Sequence, residues 1–386
     1  MTSILSLAGR TVLVANPSPD VYGSDLQMLE SVSAVVHAGG RVVVAMPTEG
    51  PLSALIRERG GEVELVDFPV LRRANQSAAA FARLLLDAVR SVPRLVTHLR
   101  RTRPDLLYVN TVTLPWWLLA ARVARVPAIC HVHEAENTDS GLVRRALVAP
   151  LRLAGGVLVI SRSAMAAMVD VAPGLARRAH LVFNGVPEPV VPAEPARRGQ
   201  RTRAVVVGRL SPRKAPHLAL EAVAQLRRLG YDIEVELAGS IYPGYEWYLH
   251  ELEERAAEPD LRGAVHLAGY CKPIWPRLAQ ADLVMAPSLR EPFGNAVVEA
   301  QLALRPVVAT AALGHVESIT DEETGLLVPA GDVEAMAKAV ARVIDEPELA
   351  AGLVERARRS ARERFSTDRY EREVVAVLTG LLRRDR

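Results

Sequence analysis

Residues 283–304 read LVMAPSLREPFGNAVVEAQLAL. The opening LVMA is a short continuous apolar run, which suits a strand buried on both faces of a sheet. From Asn295 the apolar positions fall at helical spacing, and Pro292 and Gly294 punctuate the loop between. This is a strand–loop–helix unit. In an open parallel sheet such a loop lies beyond the carboxyl end of its strand, where ligands bind.

The unit recurs along the chain. Residues 10–16 (RTVLVAN), 41–45, 106–109, 128–133, 157–160 and 180–183 read as strands, with helical spacing at 24–37, 52–59, 114–122 and 163–168. Residues 188–200 (EPVVPAEPARRGQ) then carry Pro189, Pro192 and Pro195 with no periodic apolar face, as a linker does. Strands resume at 204–207, 234–238, 265–268, 283–286 and 307–310, among helices such as 216–229 and 295–304, and the chain is helical from 333 on. The expected class is α/β, with two Rossmann-like doubly wound parallel-sheet domains facing a central cleft. The expected divisions are 1–187, a linker at 188–200, 201–366, and a final helix at 367–386.

Composition narrows the function. The chain has 386 residues, 49% hydrophobic and 24% charged, as a folded globular protein of two or three domains requires. Net charge is 47 − 44 = +3, so the whole is no polycation and a nucleic-acid partner is not expected. Cys130 and Cys271 are the only cysteines, too few for a disulfide framework or a cysteine-built zinc site. The start lacks a leader's basic and apolar pattern, and the apolar run 112–121 is half the ~20 residues a membrane span needs. A cytoplasmic location is expected, with peripheral attachment to the inner face of the plasma membrane considered below. Lysine occurs only at Lys214, Lys272 and Lys338, which draws attention to each.

Two loops carry candidate chemistry. Gly208-Arg209-Leu210-Ser211-Pro212-Arg213-Lys214 joins a strand to a helix and brings two cations to a helix N-terminus, which suits an anion. A solvated basic loop has the same composition. In residues 283–304, Gly294 and Asn295 open the helix, so backbone N–H groups face a phosphate unobstructed. Glu291 lies before that end and Glu299 about one turn inside. Two such carboxylates can accept hydrogen bonds from the vicinal hydroxyls of sugars and riboses. Complementing the helix dipole accounts for Glu291 but not for Glu299.

These residues strongly resemble the E-x7-E motif of family 4 retaining glycosyltransferases, which have the two-domain GT-B fold. Gly208-Arg209…Lys214, Asn184-Gly185-Val186, Ile160-Ser161, Ala238-Gly239 and Gly325-Leu326-Leu327-Val328-Pro329 follow the family's order and spacing. The resemblance implies that Arg209 and Lys214 neutralise the donor diphosphate, and that Phe293, Gly294 and Asn295 help bind the donor. Glu291 would hold the transferred sugar and Glu299 the ribose. It implies no metal and no cofactor, since the nucleotide-sugar is a substrate. It also implies that the helix 367–386 packs back on the first domain, and that closure about residues 188–200 assembles the site.

In the first half, Cys130-His131-Val132-His133-Glu134 ends a strand. By residue type this is a pair of hydrogen-bonded histidines, or less readily a zinc site. The resemblance implies that His133 lies near the donor sugar in a catalytic, orienting role. The loop 16–25 (NPSPDVYGSD) resembles the family's glycine-rich first loop, with Gly23 as the donor-binding glycine and Tyr22 where a second glycine is usual. Leu304 likewise stands where the family has glycine.

Residues 69–104 hold eight arginines (72, 73, 83, 90, 94, 100, 101 and 103) against Asp87, a local 8 − 1 = +7, interleaved with apolar residues. Such a stretch suits an anionic membrane surface or a solvated helix face. The function expected is retaining transfer of a sugar from a UDP- or GDP-sugar to a carbohydrate or lipid-linked acceptor hydroxyl, in cell-envelope polysaccharide or glycolipid synthesis. The alternatives are a GT-B nucleotide-sugar epimerase and a non-catalytic sugar-nucleotide-binding module.

Overall fold

A computed structural model describes residues 6–71, 78–134, 141–191, 193–195 and 201–384. The chain divides into two compact units, residues 1–185 with 367–386, and residues 186–366. Within each, all paired strands named here are parallel.

The first unit runs β1 (Thr11–Ala15), α1 (Gly23–His37), β2 (Arg41–Met46), α2 (Pro51–Glu58), β3 (Glu62–Leu65), α3 (Ala78–Thr102), β4 (Leu106–Asn110), α4 (Pro115–Ala124), β5 (Ala128–Val132), α5 (Gly141–Val148), β6 (Gly156–Val159), α6 (Arg162–Val171) and β7 (Ala179–Leu181). Among the described residues its sheet has the order β3-β2-β1-β4-β5-β6-β7. Every residue of the central strands β4 and β5 is buried, which is why both read as continuous apolar runs. The edge strand β3, sequence EVEL, buries none of its residues, and no apolar run marked it in the sequence.

The second unit runs β8 (Thr202–Val207), α7 (Pro216–Arg228), β9 (Ile233–Ala238), α8 (Glu246–Ala257), β10 (Val265–Gly269), α9 (Trp275–Gln280), β11 (Leu283–Ala286), α10 (Asn295–Leu302), β12 (Val307–Thr310), α11 (His315–Ser318), β13 (Leu326–Val328), α12 (Val333–Asp345) and α13 (Pro347–Phe365). Its order is β10-β9-β8-β11-β12-β13, again among the described residues. Residues from Val186 belong to this unit. Glu188 pairs with Arg362 at 2.6 Å, and the Glu194 carbonyl accepts from Arg305 Nη1 at 2.7 Å. Of the expected linker, residues 192 and 196–200 lie outside the described residues. Leu304 follows α10 with φ +56°, the left-handed region glycine adopts without strain, so its departure from the family concerns how that helix ends.

The last helix, α14 (Thr367–Arg384), belongs to the first unit. Tyr370, Val374, Leu378 and Leu381 form one buried stripe that joins a core with Met28, Val32 and Val35 of α1. Gly185 lies where the chain passes this helix. A Cβ there would stand 2.7 Å from Tyr370 Cβ and 3.1 Å from Thr367 Cα. Gly380, exposed within α14, would meet nothing within 4 Å. Gly185→Ala should therefore lower the unfolding free energy by about 1–3 kcal/mol through overpacking. Gly380→Ala should raise it by up to ~1 kcal/mol through helix propensity. Urea denaturation of the two variants checks the pair.

Candidate active site

Each sheet reverses its strand order once, between β1 and β4 and between β8 and β11. Connections leave such neighbours toward opposite faces, and a crevice opens at the carboxyl ends of the strands. The loops singled out from the sequence all begin at those ends or one strand away.

In the second unit, β8 runs into Gly208 at φ +137°. A Cβ on Gly239, just past β9, would overlap the Gly208 carbonyl oxygen, so only glycine lets these two strand ends lie so close. Leu289 N donates to Arg213 O at 2.9 Å, and Arg213 Nη1 donates to Arg290 O at 3.2 Å. These two bonds tie the loop after β8 to the loop after β11. Lys214 Nζ thereby forms an ion pair with Glu291 Oε2, to which Ser288 Oγ also donates at 3.5 Å.

The next loop completes the wall. Gly314 N donates to Glu291 O at 2.7 Å, and a Cβ on Gly314 would collide with Phe293 and Pro292 backbone. His315 is 1% exposed and donates from Nδ1 to Thr310 O at 3.0 Å. Its ring edge meets Gly294, where a Cβ would lie 2.9 Å from His315 Cδ2. Gly294, at φ +98°, caps α10. The result is an open recess lined by Gly208, Arg209, Lys214, Glu291, Gly294 and His315, among others.

The electrostatics separate the two motif carboxylates. Burial works to raise Glu291, but Lys214, His315 and Arg213 outweigh it and bring its pKa to about 2. Burial raises Glu299, with Lys272 and Lys214 opposing. Burial also holds His315 below its ordinary value, against the pull of Glu291. The Arg209 guanidinium lies over the Tyr242 ring, a cation–π contact.

Of the expected residues, Arg209, Lys214, Glu291 and Gly294 therefore share one recess. Asn295 begins α10, and Glu299 sits one turn in, partly buried. Phe293 turns inward. Its ring is 2% exposed and stands edge-on to Phe365 at 5.4 Å, so the side chain anchors the loop in the core. His315 escaped the sequence reading. Its one signal was its place in the loop after β12, beyond a strand's carboxyl end.

Gly23 and His133 belong to the first unit. Gly23 begins α1, and a Cβ there would meet nothing within 4 Å, so this chain's packing does not demand glycine. His133 follows β5, and its Nε2 bonds Asn110 Oδ1 at 2.7 Å. Asn110 Nδ2 donates to Asn16 Oδ1 at 2.7 Å, and Asn16 Nδ2 to Asp25 Oδ1 at 3.1 Å. Burial drops His133 to a pKa of about 3. Among the described residues, no three His, Cys, Asp or Glu side chains gather as a metal ion would require.

The model for glycosyl transferases group 1 matches residues 190–360, and that for glycosyltransferase family 4 matches residues 23–189. The lipopolysaccharide core biosynthesis glycosyltransferase LpsE of Rhizobium meliloti (strain 1021) is 33% identical over 175 residues, 42% of this chain and 47% of that protein. The chain thus spans about half the length of that relative. A glycogen synthase of Mycobacterium tuberculosis is 29% identical over 300 residues, 73% of this chain and 69% of that protein. Among solved structures, Anabaena HepE in complex with UDP and glucose superposes with TM-score 0.81 at 23% identity, covering 95% of this chain and 98% of that one. Sucrose-phosphate synthase from Thermosynechococcus elongatus gives 0.73 at 18% identity, covering 97% and 98%. These two likenesses concern the fold.

The Glu291 pair sets a pH dependence. A carboxylate depressed in the folded state stabilises fully above its unfolded pKa, near 4.5, and that contribution is lost as pH falls through about 2. The stability difference between the native chain and Glu291→Gln should be on the order of 3 kcal/mol at neutral pH and should vanish toward pH ~2. Urea denaturation across that window measures it.

Proposed function

The chain belongs to glycosyltransferase family 4, with the GT-B fold, and on that premise we propose that it is a retaining, metal-independent transferase. It moves a sugar from a UDP- or GDP-linked donor to an acceptor hydroxyl. The observation that carries this reading is the Lys214–Glu291 pair, set between Arg209 and the N-terminal end of α10. A bound diphosphate draws on the Lys214 ammonium that Glu291 holds. Arg209 and the helix end add to the field, so negative charge developing on the leaving oxygen is met by fixed positive groups. Two cations and a helix dipole thus serve where other transferases use a metal ion. Released from Lys214, the Glu291 carboxylate has oxygens to accept hydroxyl hydrogens of the transferred sugar, and Glu299 those of the ribose. Same-face substitution through an ion-pair-like transition state fits this reading.

A uridine donor is favoured by the HepE complexes with UDP, glucose and UDP-glucose, which concern that protein. A cell-envelope polysaccharide or glycolipid acceptor is favoured by the likeness to LpsE. Thermal shift and nucleoside diphosphate release, with EDTA present, across UDP-, GDP-, ADP- and dTDP-sugars should find one donor that stabilises the fold and is turned over. Lys214→Ala should lower kcat/KM for that donor about 10²–10³-fold. Stabilisation by no donor would end this reading, and isomerisation without an acceptor would favour an epimerase.

The basic stretch supports a second, surface role for the first unit. Arg72 and Arg73 lie outside the described residues. Along α3, Ala88, Leu95, Val96 and Leu99 are buried, while Arg90, Arg94, Arg100 and Arg101 are exposed, as is Arg103 beyond it. These four apolar side chains are committed to the core while Val89 is exposed, so attachment to an anionic leaflet would draw chiefly on charge, about 1 kcal/mol per basic residue. Among the described residues no helix is long and apolar enough to cross a membrane. Gln at 90, 94, 100 and 103 together should weaken sedimentation with phosphatidylserine vesicles, as should added salt. Absent or salt-indifferent binding by the native chain would leave the stretch a solvated face.

A further inference from the structure

The hydrogen-bond chain that ends at His133 has a fixed polarity. A carboxylate only accepts, and Asp25 accepts from Tyr22 N at 3.1 Å through Oδ2 and from Asn16 Nδ2 at 3.1 Å through Oδ1. Asn16 Nδ2 also donates to Ser18 O at 2.8 Å, which fixes the amide orientation a second way. Asn16 Oδ1 must then face Asn110, whose Nδ2 donates to it at 2.7 Å and to Ser24 O at 3.4 Å. Only Asn110 Oδ1 is left for His133. A carbonyl oxygen cannot donate, so His133 Nε2 carries the hydrogen across their 2.7 Å contact.

We propose that Asp25, Asn16 and Asn110 are positioning residues that hold His133 in its Nε2–H tautomer, so that Nδ1 keeps a lone pair to accept a hydrogen bond from a substrate hydroxyl. The inference deepens the transferase reading and rests on it for the identity of that hydroxyl. Among the described residues nothing hydrogen-bonds Nδ1. Among the described residues the titratable neighbours are His131, whose ring centroid lies 4.0 Å away, and Glu134, whose Oε2 accepts from the His133 backbone N–H at 3.0 Å. Burial keeps both imidazoles below their ordinary values, and His133 further lowers His131. His133 is thus an uncharged acceptor at one defined atom, and a carboxylate three links away, together with the Ser18 carbonyl, decides which atom.

The test is a long-range 1H–15N spectrum of the full chain with labelled histidine, between about pH 5 and 9. His133→Gln assigns the signal. The native chain should show Nε2 protonated, Nδ1 bare and no titration. Asn110→Asp sets a carboxylate against the Nε2 hydrogen and favours the cation, so a His133 titration should enter the range and appear in the pH profile of transfer. Asp25→Ala removes one of the two acceptors that orient the Asn16 amide and leaves Ser18 O alone to hold it. It should mix the tautomers and lower kcat on the order of 10-fold with donor KM unchanged. An Nδ1–H or mixed signal in the native chain overturns the proposal, as does an unmixed Nε2–H signal in folded Asp25→Ala. If Asp25→Ala does not fold, the native spectrum and Asn110→Asp decide. Failure of every donor would sink the transferase reading while leaving the tautomer readable.

Discussion

The candidate site of the second unit is organised around one ion pair largely withdrawn from water, with the Lys214 side chain 22% and the Glu291 side chain 10% exposed. A lone buried ammonium or carboxylate costs several kcal/mol, so Lys214 and Glu291 must meet closely or not be there. They come from loops 77 residues apart. Strand order brings β8 and β11 side by side, and the Arg213 bonds to Leu289 and Arg290 join their loops. Gly239, after β9, and Gly314, after β12, stand where any side chain would collide with the backbone of the β8 and β11 loops respectively. The glycines here are space requirements of a charge pair.

The same neighbourhood gives two like residues different states. Glu291 faces Lys214, His315 and Arg213, and stays ionised despite burial. Glu299, one turn into the apolar helix α10, feels burial first and shifts the other way. A carboxylate that remains charged and one nearer protonation differ in what they accept and donate. Under the proposed transferase reading, the first would hold the transferred sugar and the second the ribose.

The first unit reaches its rigidity through polar contacts within an apolar core. Ser31 Oγ contacts Tyr108 at 3.0 Å and Tyr370 at 2.6 Å, and Tyr108 contacts His131, so α14 is joined to β5 through α1 and β4. A second chain, from Asp25 to His133, runs beside it. Neighbouring histidines of one strand end are thus each held by their own network, His131 through Nδ1 alone, its Nε2 being buried without a hydrogen-bond partner among the described residues.

Much of this was legible in the sequence. Continuous apolar runs located the central strands, because a strand buried on both faces has no polar side to interrupt it. Strand–loop–helix junctions located Arg209, Lys214, Glu291 and Glu299, because open parallel sheets place their ligands there. The edge strand β3 was not legible because EVEL carries no apolar run, and β13, wholly apolar, because three residues are too few to read as a strand. Nor was the inward turn of Phe293, which depends on Phe365, 72 residues away in sequence (365 − 293). Only the tertiary structure set His315 against Gly294 and linked Asn16, Asn110 and His133. Hydrogen bonding and burial act between residues distant in the chain, and a one-dimensional pattern records neither their distance nor their direction.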